Sequence, residues 1–412
     1  MTSVIESHQE ILEQFDKYLT ESSEFAALVM RQWLKPLEGW DAVIFPSTYA
    51  KPQKTNEGKD QNEEKNEKEW LGYNIDGEGA SSVCQIDSVG SQANRMEPIF
   101  KRGQYKQLIP QIRVQAAIEG IVREIDLLDA GHRAADAIVR FSELGTELYE
   151  AFRTYCDKGN AEPLAKIAPT SIVFGVWDSR ATQAKLPRVV RSVIRAYNVR
   201  VLHRSAQYST IAGEILAKGD VKTTAKGLKA ELGLTHVPAA WTHGGVQVLG
   251  EIRRDAILKL ATIRALAAQN ENGEDTSFRL RRYILGLALV SFTAPQEGFL
   301  REGCELVTDP KQPIEWKSVK HDGTEEDFTM THDKALSFAT ASAEEFGVHE
   351  AAEKFEDGVR TVAFCPDLVE DIMTLKEDER KELLKQGPIT KEIIEKFKKS
   401  SASKGKTKEQ LN

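Results

Sequence analysis

The sequence predicts an α+β fold. Apolar runs of strand length alternate with stretches of helical period, Gly and Pro mark many of the boundaries, and 412 residues are enough to bury a substantial core. Length alone allows two or three domains. Residues 5–34 read as amphipathic helix, because Ile11, Phe15 and Leu19, then Phe25, Leu28 and Val29, recur at helical spacing. Gly39 ends that segment and Ala42-Val43-Ile44-Phe45 follows as a strand. From Lys51 to Glu69 the only apolar residue is Pro52, so 51–69 is expected to be a mobile surface loop with too little apolar surface to offset the entropy of ordering. Leu108 to Ile112 reads as a short strand, and Asp129 to Phe141 as a helix with Ala134, Ala135, Ile138 and Val139 on its buried side. Ser171 to Trp177 reads as another strand.

Pro187 suits the first turn of a helix, where its missing N–H costs nothing. At 100° per residue, Lys185, Arg188, Arg191 and Arg195 share one arc, while Val189, Val190, Val193, Ile194 and Tyr197 take the other. The spacing therefore predicts a helix with one packed and one cationic face. Residues 205–250 are richer in Gly, Thr and Lys and read as an excursion from the core. Two helices are expected at 251–269 and 277–293, a closing strand from Leu300 to Val307, and a helix at 333–357. The tail from Lys391 to Lys408 is lysine-rich, and its last part is expected to be disordered.

Acids outnumber bases, 63 Asp and Glu against 55 Lys and Arg, for a net charge of −8. Taken alone, that balance argues against a protein that coats nucleic acid. The charge is segregated, however. Lys166, Arg180, Lys185, Arg188, Arg191, Arg195, Arg200 and Arg204 face the single acid Asp178, while acids crowd 57–69, 344–357 and 370–380. No apolar run approaches the roughly 18 residues of a membrane span, even over Tyr283 to Ala294, so no membrane partner is expected. Met1 to Asp16, with Glu6, Glu10 and Glu13, does not resemble a secretory signal, and a cytoplasmic location is expected. Cys84, Cys156, Cys304 and Cys365 stand apart without a CxxC pair, which indicates neither a zinc site nor a disulfide framework; no cofactor is expected.

Arginines one helical turn apart match successive phosphates, and each guanidinium grips phosphate oxygens bidentately. The competing reading is a solvated helix face, yet such a face interleaves Glu with Arg, and no acid lies between Asp178 and Glu214. Phosphate contacts of this kind ignore base sequence and weaken as salt rises. A second candidate is Cys84 to Phe100, where Ser88, Ser91, Gln92 and Asn94 surround Arg95 ahead of Pro98. These side chains suit phosphates and 2′-hydroxyls, and helix capping by Asp87 or Ser88 explains the spacing equally well. The third candidate is the His132-Arg133 pair ahead of a helix, although a lone histidine is more often structural. Phe174, Trp177, Tyr197 and Tyr208 suit either base stacking or the core.

Enzymatic signatures are absent: there is no GxxxxGK[ST], HExxH, GxSxG, or GxGxxG after a strand. A metal-dependent ribonuclease using Asp87 or Asp178 is the alternative function. Nothing in the sequence brings those two residues together, and Asp178 beside Arg180 reads as a local ion pair.

Three blocks carry a family likeness: Ile86 to Glu97 (IDSVGSQANRME), Ala130 to Ala137 (AGHRAADA), and Leu164 to Tyr208 with its Phe174-Gly175-Val176-Trp177-Asp178-Ser179-Arg180 core. They resemble the seventh CRISPR-associated protein family in its type I-U (I-G) form, a RAMP-superfamily backbone subunit of Cascade, over about Trp40 to Val307. The resemblance implies a modified RNA-recognition-motif (ferredoxin-like) palm with inserted finger and thumb elements. It implies copies assembled head to tail along the spacer of a CRISPR guide RNA, beside other Cascade subunits, with target DNA read through the guide by base pairing. It also implies no cleavage by this subunit. The RNA-binding set expected on this reading is Ser91, Gln92, Asn94, Arg95, His132, Arg133, Arg180, Lys185, Arg188, Arg191, Arg195 and Arg204. Domain bounds are expected at 1–39 (helical), 40–205 (palm and fingers), 206–250 (thumb-like), 251–310 (palm completion) and 311–412 (helical extension). The superfamily often ends its palm with a glycine-rich loop. Here only Gly298 and Gly303 flank Phe299-Leu300-Arg301-Glu302, and no RNA contact is assigned there.

Overall fold

The structure, a computed structural model, describes residues 7–50, 72–118, 120–208, 232 and 237–399. The 51–69 loop, most of the 206–250 excursion and the end of the lysine-rich tail therefore lie outside the described residues.

A large antiparallel sheet organises the chain. Its strands are β1 (Phe25–Pro36), β2 (Val83–Asp87), β3 (Val190–Tyr197), β6 (Ile252–Lys259), β7 (Cys304–Thr308) and β8 (Glu315–Lys320). Between β3 and β6 the chain runs out and back as β4 (Val199–Tyr208) and β5 (Val237–Val248), which pair with each other. The order across the sheet is β8-β1-β6-β3-β2, and every neighbouring pair is antiparallel. β7 shares the outer edge of β1, pairing Leu34 to Pro36 with Thr308 to Leu306. Counted along the chain, β1, β3, β6 and β8 stand in the order 4-1-3-2, with helices in both crossovers. That is the ferredoxin-like palm, with β2 added at its far edge.

Helices α1 (Val89–Met96), α2 (Gly145–Lys158) and α3 (Pro169–Phe174) fall in the first crossover, α4 (Ser277–Thr293) in the second, and α5 (His332–Glu345) follows β8. α4 is buried almost all round. Its Ile284, Leu287 and Leu289 share one core with Leu28 and Met30 of β1, Ala256 and Leu258 of β6, and Phe338 of α5. At Gly286 a methyl group would stand 2.8 Å from Ala339 Cα, so α4 and α5 touch backbone to backbone there. A second cluster, including Cys84, Ile86, Ile194, Ala196, Ile252, Cys304 and Leu306, fills the other end of the same sheet face.

The α4 helix, the strand at Val43–Ile44 and the closing β-structure from Phe299 to Thr308 stand where the sequence puts them. Five expectations are corrected. The described residues of 5–34 are helical only over His8–Glu13 and Asp16–Leu19, and from Phe25 the chain is the central strand β1. Residues 252–259 are strand rather than helix, with Ile252, Arg254, Ala256 and Leu258 buried and the residues between them half-buried. Residues 171–177 are mostly the buried helix α3, begun by Pro169 and ended by Gly175 at φ +79°; an unbroken apolar run has no period to tell helix from strand. Residues 129–141 are two single turns and a four-residue helix, not one helix. Near the C-terminus, Gly347 at φ +79° divides the predicted 333–357 helix into α5 and the short helix Val348–Ala352.

Candidate nucleic-acid interface

Residues 190–197, predicted as a basic helix, are strand β3 between β6 and β2. Four β-branched residues at 189, 190, 193 and 194 favour the pleated state, and two neighbouring ladders complete it. The arginines are therefore not one turn apart on an arc with Lys185. Arg191 and Arg195 share the outer face of the sheet, about 13 Å apart at strand rise. Lys185 sits on the short hairpin Val176–Trp177/Lys185–Leu186, and Arg188 lies in the link between that hairpin and β3.

The first sequence block builds the floor. Ser88 caps α1 by accepting the Ser91 N–H at 3.2 Å. Gln92 points inward, donating to Asp87 at 2.6 Å and accepting from Ser192 at 2.7 Å, while buried Arg254 donates to the Ser192 hydroxyl at 3.0 Å. Burial pushes the Arg254 guanidinium down to about 10. Arg95 donates to Asp87 at 3.1 Å and to the Leu300 carbonyl at 2.6 Å. Gln92 and Arg95 thus hold β2, β3, β6 and the 299–300 strand together. Ser91 is half-buried, and Asn94 is the exposed member of the block.

Three blocks far apart in sequence meet above this floor. Arg133, left-handed at φ +53° and buried, donates to Glu97 at 2.7 Å and, at 3.4 Å each, to the Gly175 carbonyl and Asn94. Its guanidinium lies 5.6 Å over the Phe174 ring. Burial raises the Glu97 carboxyl, and Arg133 opposes that rise. Gly175 is required here, because a Cβ on it would stand 2.5 Å from Arg188 Cγ. Burial and then the nearby Arg133 charge depress the half-buried Arg188 guanidinium, which has no hydrogen-bond or ion-pair partner among the described residues. Two guanidiniums therefore stand near each other, and only Arg133 has a carboxylate.

The hairpin beside them is held by Asp178. That buried carboxylate accepts the Thr182 N–H and hydroxyl at 2.8 Å each, and Arg140 at 2.7 Å. Its ion-pair partner is Arg140, not Arg180 as the sequence suggested, because the fold carries Arg140 to within contact. Arg180 is exposed, and Lys185 lies 5.6 Å over the ring of exposed Trp177. On the outer sheet face Arg195 stands directly opposite Arg253, and the like charges are reconciled by Asp255, 2.8 Å from Arg253 and 3.9 Å from Arg195. Arg253 also covers Tyr197 and pairs with Glu251, which accepts from Trp33 at 2.5 Å. Arg191 is exposed without an ion pair among the described residues, and Lys259 donates to the Arg188 carbonyl at 3.1 Å. Arg204 packs on Phe45 at 5.1 Å, and His132 is exposed.

The structure thus gathers Asn94, Arg133 and Arg188, with Lys185 and Arg180 on the adjoining hairpin, and leaves Arg204 on β4. Glu97, Arg253 and Lys259 were missed from the sequence. The strict in-out alternation of 252–259 was the signal for the last two, and nothing local marked Glu97. Among the described residues no three or more His, Cys, Asp or Glu side chains gather as a metal site. No helix there is long and apolar enough to cross a membrane.

No curated protein matches the chain. A family model described as CRISPR-associated protein GSU0053 matches residues 28–201, the span from β1 to the start of β4 that contains Asn94, Arg133, Gly175 and Arg188. Over that span the chain is similar to this family, which supports a CRISPR-associated protein with a role in CRISPR defence.

Proposed function

We propose that this protein binds CRISPR guide RNA along its sugar-phosphate backbone, as a repeated, non-catalytic backbone subunit of a type I (Cascade) surveillance complex. In that complex, copies lie head to tail in the cytoplasm, beside other subunits, and present the guide to target DNA. One observation carries the RNA reading: Arg133 and Arg188 meet around Gly175, Arg133 is paired with the buried Glu97 carboxylate and Arg188 has no ion pair among the described residues, so the cluster keeps a surplus positive charge at a half-open position. A phosphate oxygen against Arg188 relieves the repulsion and forms a charge-assisted bond. Arg180, Lys185 and Arg191, all exposed, extend the cationic surface on either side. Asp87 and Asp178, which a metal-dependent ribonuclease would need, are each bonded to an arginine.

The test is a titration of fluorescent single-stranded RNA at two salt concentrations, wild type against Arg188→Ala. The variant is expected to bind more weakly and to lose about 0.7 from the log–log salt slope, one phosphate contact on a single strand. An unchanged affinity and slope overturns the assignment to this cluster.

A further inference from the structure

Trp177 leaves 57 % of its surface in water, more than any other described aromatic residue, although it begins a hairpin whose inward residues, Val176 and Leu186, are buried. The ring is outward by register, directly across from Lys185, whose ammonium sits 5.6 Å over it. The hairpin is rigid on its far side, where the Asp178 carboxylate takes up the Thr182 N–H and hydroxyl and is itself held by Arg140. Two residues before the ring, the Gly175 carbonyl accepts from Arg133, and the Gly175 backbone packs on the Arg188 stem. An exposed, pre-ordered indole therefore adjoins the cluster with surplus positive charge.

We infer that Trp177 is a stacking platform for one unpaired nucleobase of the strand whose phosphates Arg188 and Arg133 hold. This inference rests on the RNA-binding reading above and adds a base contact to it. A protein partner fits less well. Ser179, Arg180, Thr182, Gln183 and Lys185 give the hairpin a polar, cationic surface, and the hairpin's one acid, Asp178, is buried and paired. A lone ring in cationic surroundings lacks the contiguous apolar patch of a docking site. A nucleotide offers a flat base π-face together with its own phosphate anion, and stacking of this kind does not depend on base identity.

The test compares full-length wild type, Trp177→Ala and Trp177→Phe on a single-stranded uridine oligonucleotide and on an abasic oligonucleotide of equal length and charge. Trp177→Ala is expected to weaken binding of the uridine strand by roughly 5- to 150-fold, the range measured for loss of one stacked base. Its salt slope and its affinity for the abasic strand should match wild type, and Trp177→Phe should keep most of the affinity. If wild type binds RNA and Trp177→Ala binds the uridine strand equally well, or loses equally on both strands, stacking is wrong while the RNA reading stands. If Trp177→Ala instead loses only self-association, the ring is a protein contact and the inference falls. If wild type binds neither oligonucleotide, the RNA-binding reading fails first and takes this inference with it.

Discussion

The Arg133 guanidinium meets the Glu97 carboxylate at 2.7 Å, with both side chains less than a tenth exposed, and burial followed by the Arg133 charge depresses the neighbouring Arg188 guanidinium. The pair joins α1 to the turn that carries His132, and the third charge turns a structural ion pair into a site with a net charge.

The two arginines should behave oppositely when their neighbours change. Glu97→Ala leaves the buried Arg133 uncompensated beside Arg188, and is expected to cost about 3–5 kcal/mol in denaturant unfolding. Arg188→Ala removes repulsion and no hydrogen bond, so stability should stay within about 0.5 kcal/mol of wild type or rise. A large loss of stability in Arg188→Ala would mean that its charge is already paired in the monomer.

Gly175→Ala tests the geometry of the same cluster. The residue sits at φ +79°, and the new methyl would reach 2.5 Å from Arg188 Cγ and 3.0 Å from its backbone nitrogen. A loss of about 1–3 kcal/mol is expected in thermal or denaturant unfolding. RNA affinity should fall with it, because Arg188 must move. Wild-type stability would show that the link before β3 adapts freely.

The buried thiols set a pH dependence. Burial pushes Cys84 and Cys304 up to about 12, so the folded state holds both protons above pH 9 while the unfolded chain releases them. The unfolded state then binds fewer protons, and stability falls as pH rises from 9 toward 12, by up to about 1.4 kcal/mol per pH unit for each thiol. At neutral pH a thiol reagent should label exposed Cys156 and half-buried Cys365 promptly, and Cys84 and Cys304 only in denaturant. Rapid labelling of all four in the native protein contradicts the burial.

Parts of this were legible locally. The α4 segment is too long and too apolar to be anything but a core helix, and its bounds need nothing from outside 277–293. The three motif blocks were visible as small, polar and basic residues, and they are the blocks that meet around Gly175. The 185–197 segment was misread because Arg191 and Arg195 satisfy both a one-turn step on a helix and two in-out steps on a strand. The segment is strand because β6 and β2 lie on either side of it.

The sequence by itself determined an α+β chain, its segregated charge, and which residue types stand at which spacing. Tertiary structure alone decided which charges are spent: Arg95 and Arg133 on carboxylates inside the protein, Arg188 and Arg191 left without ion pairs among the described residues, Phe174 buried and Trp177 exposed. The reason is range. A period is written into adjacent residues, whereas the carboxylate that neutralises Arg133 arrives from 36 positions away, and only folding brings it there.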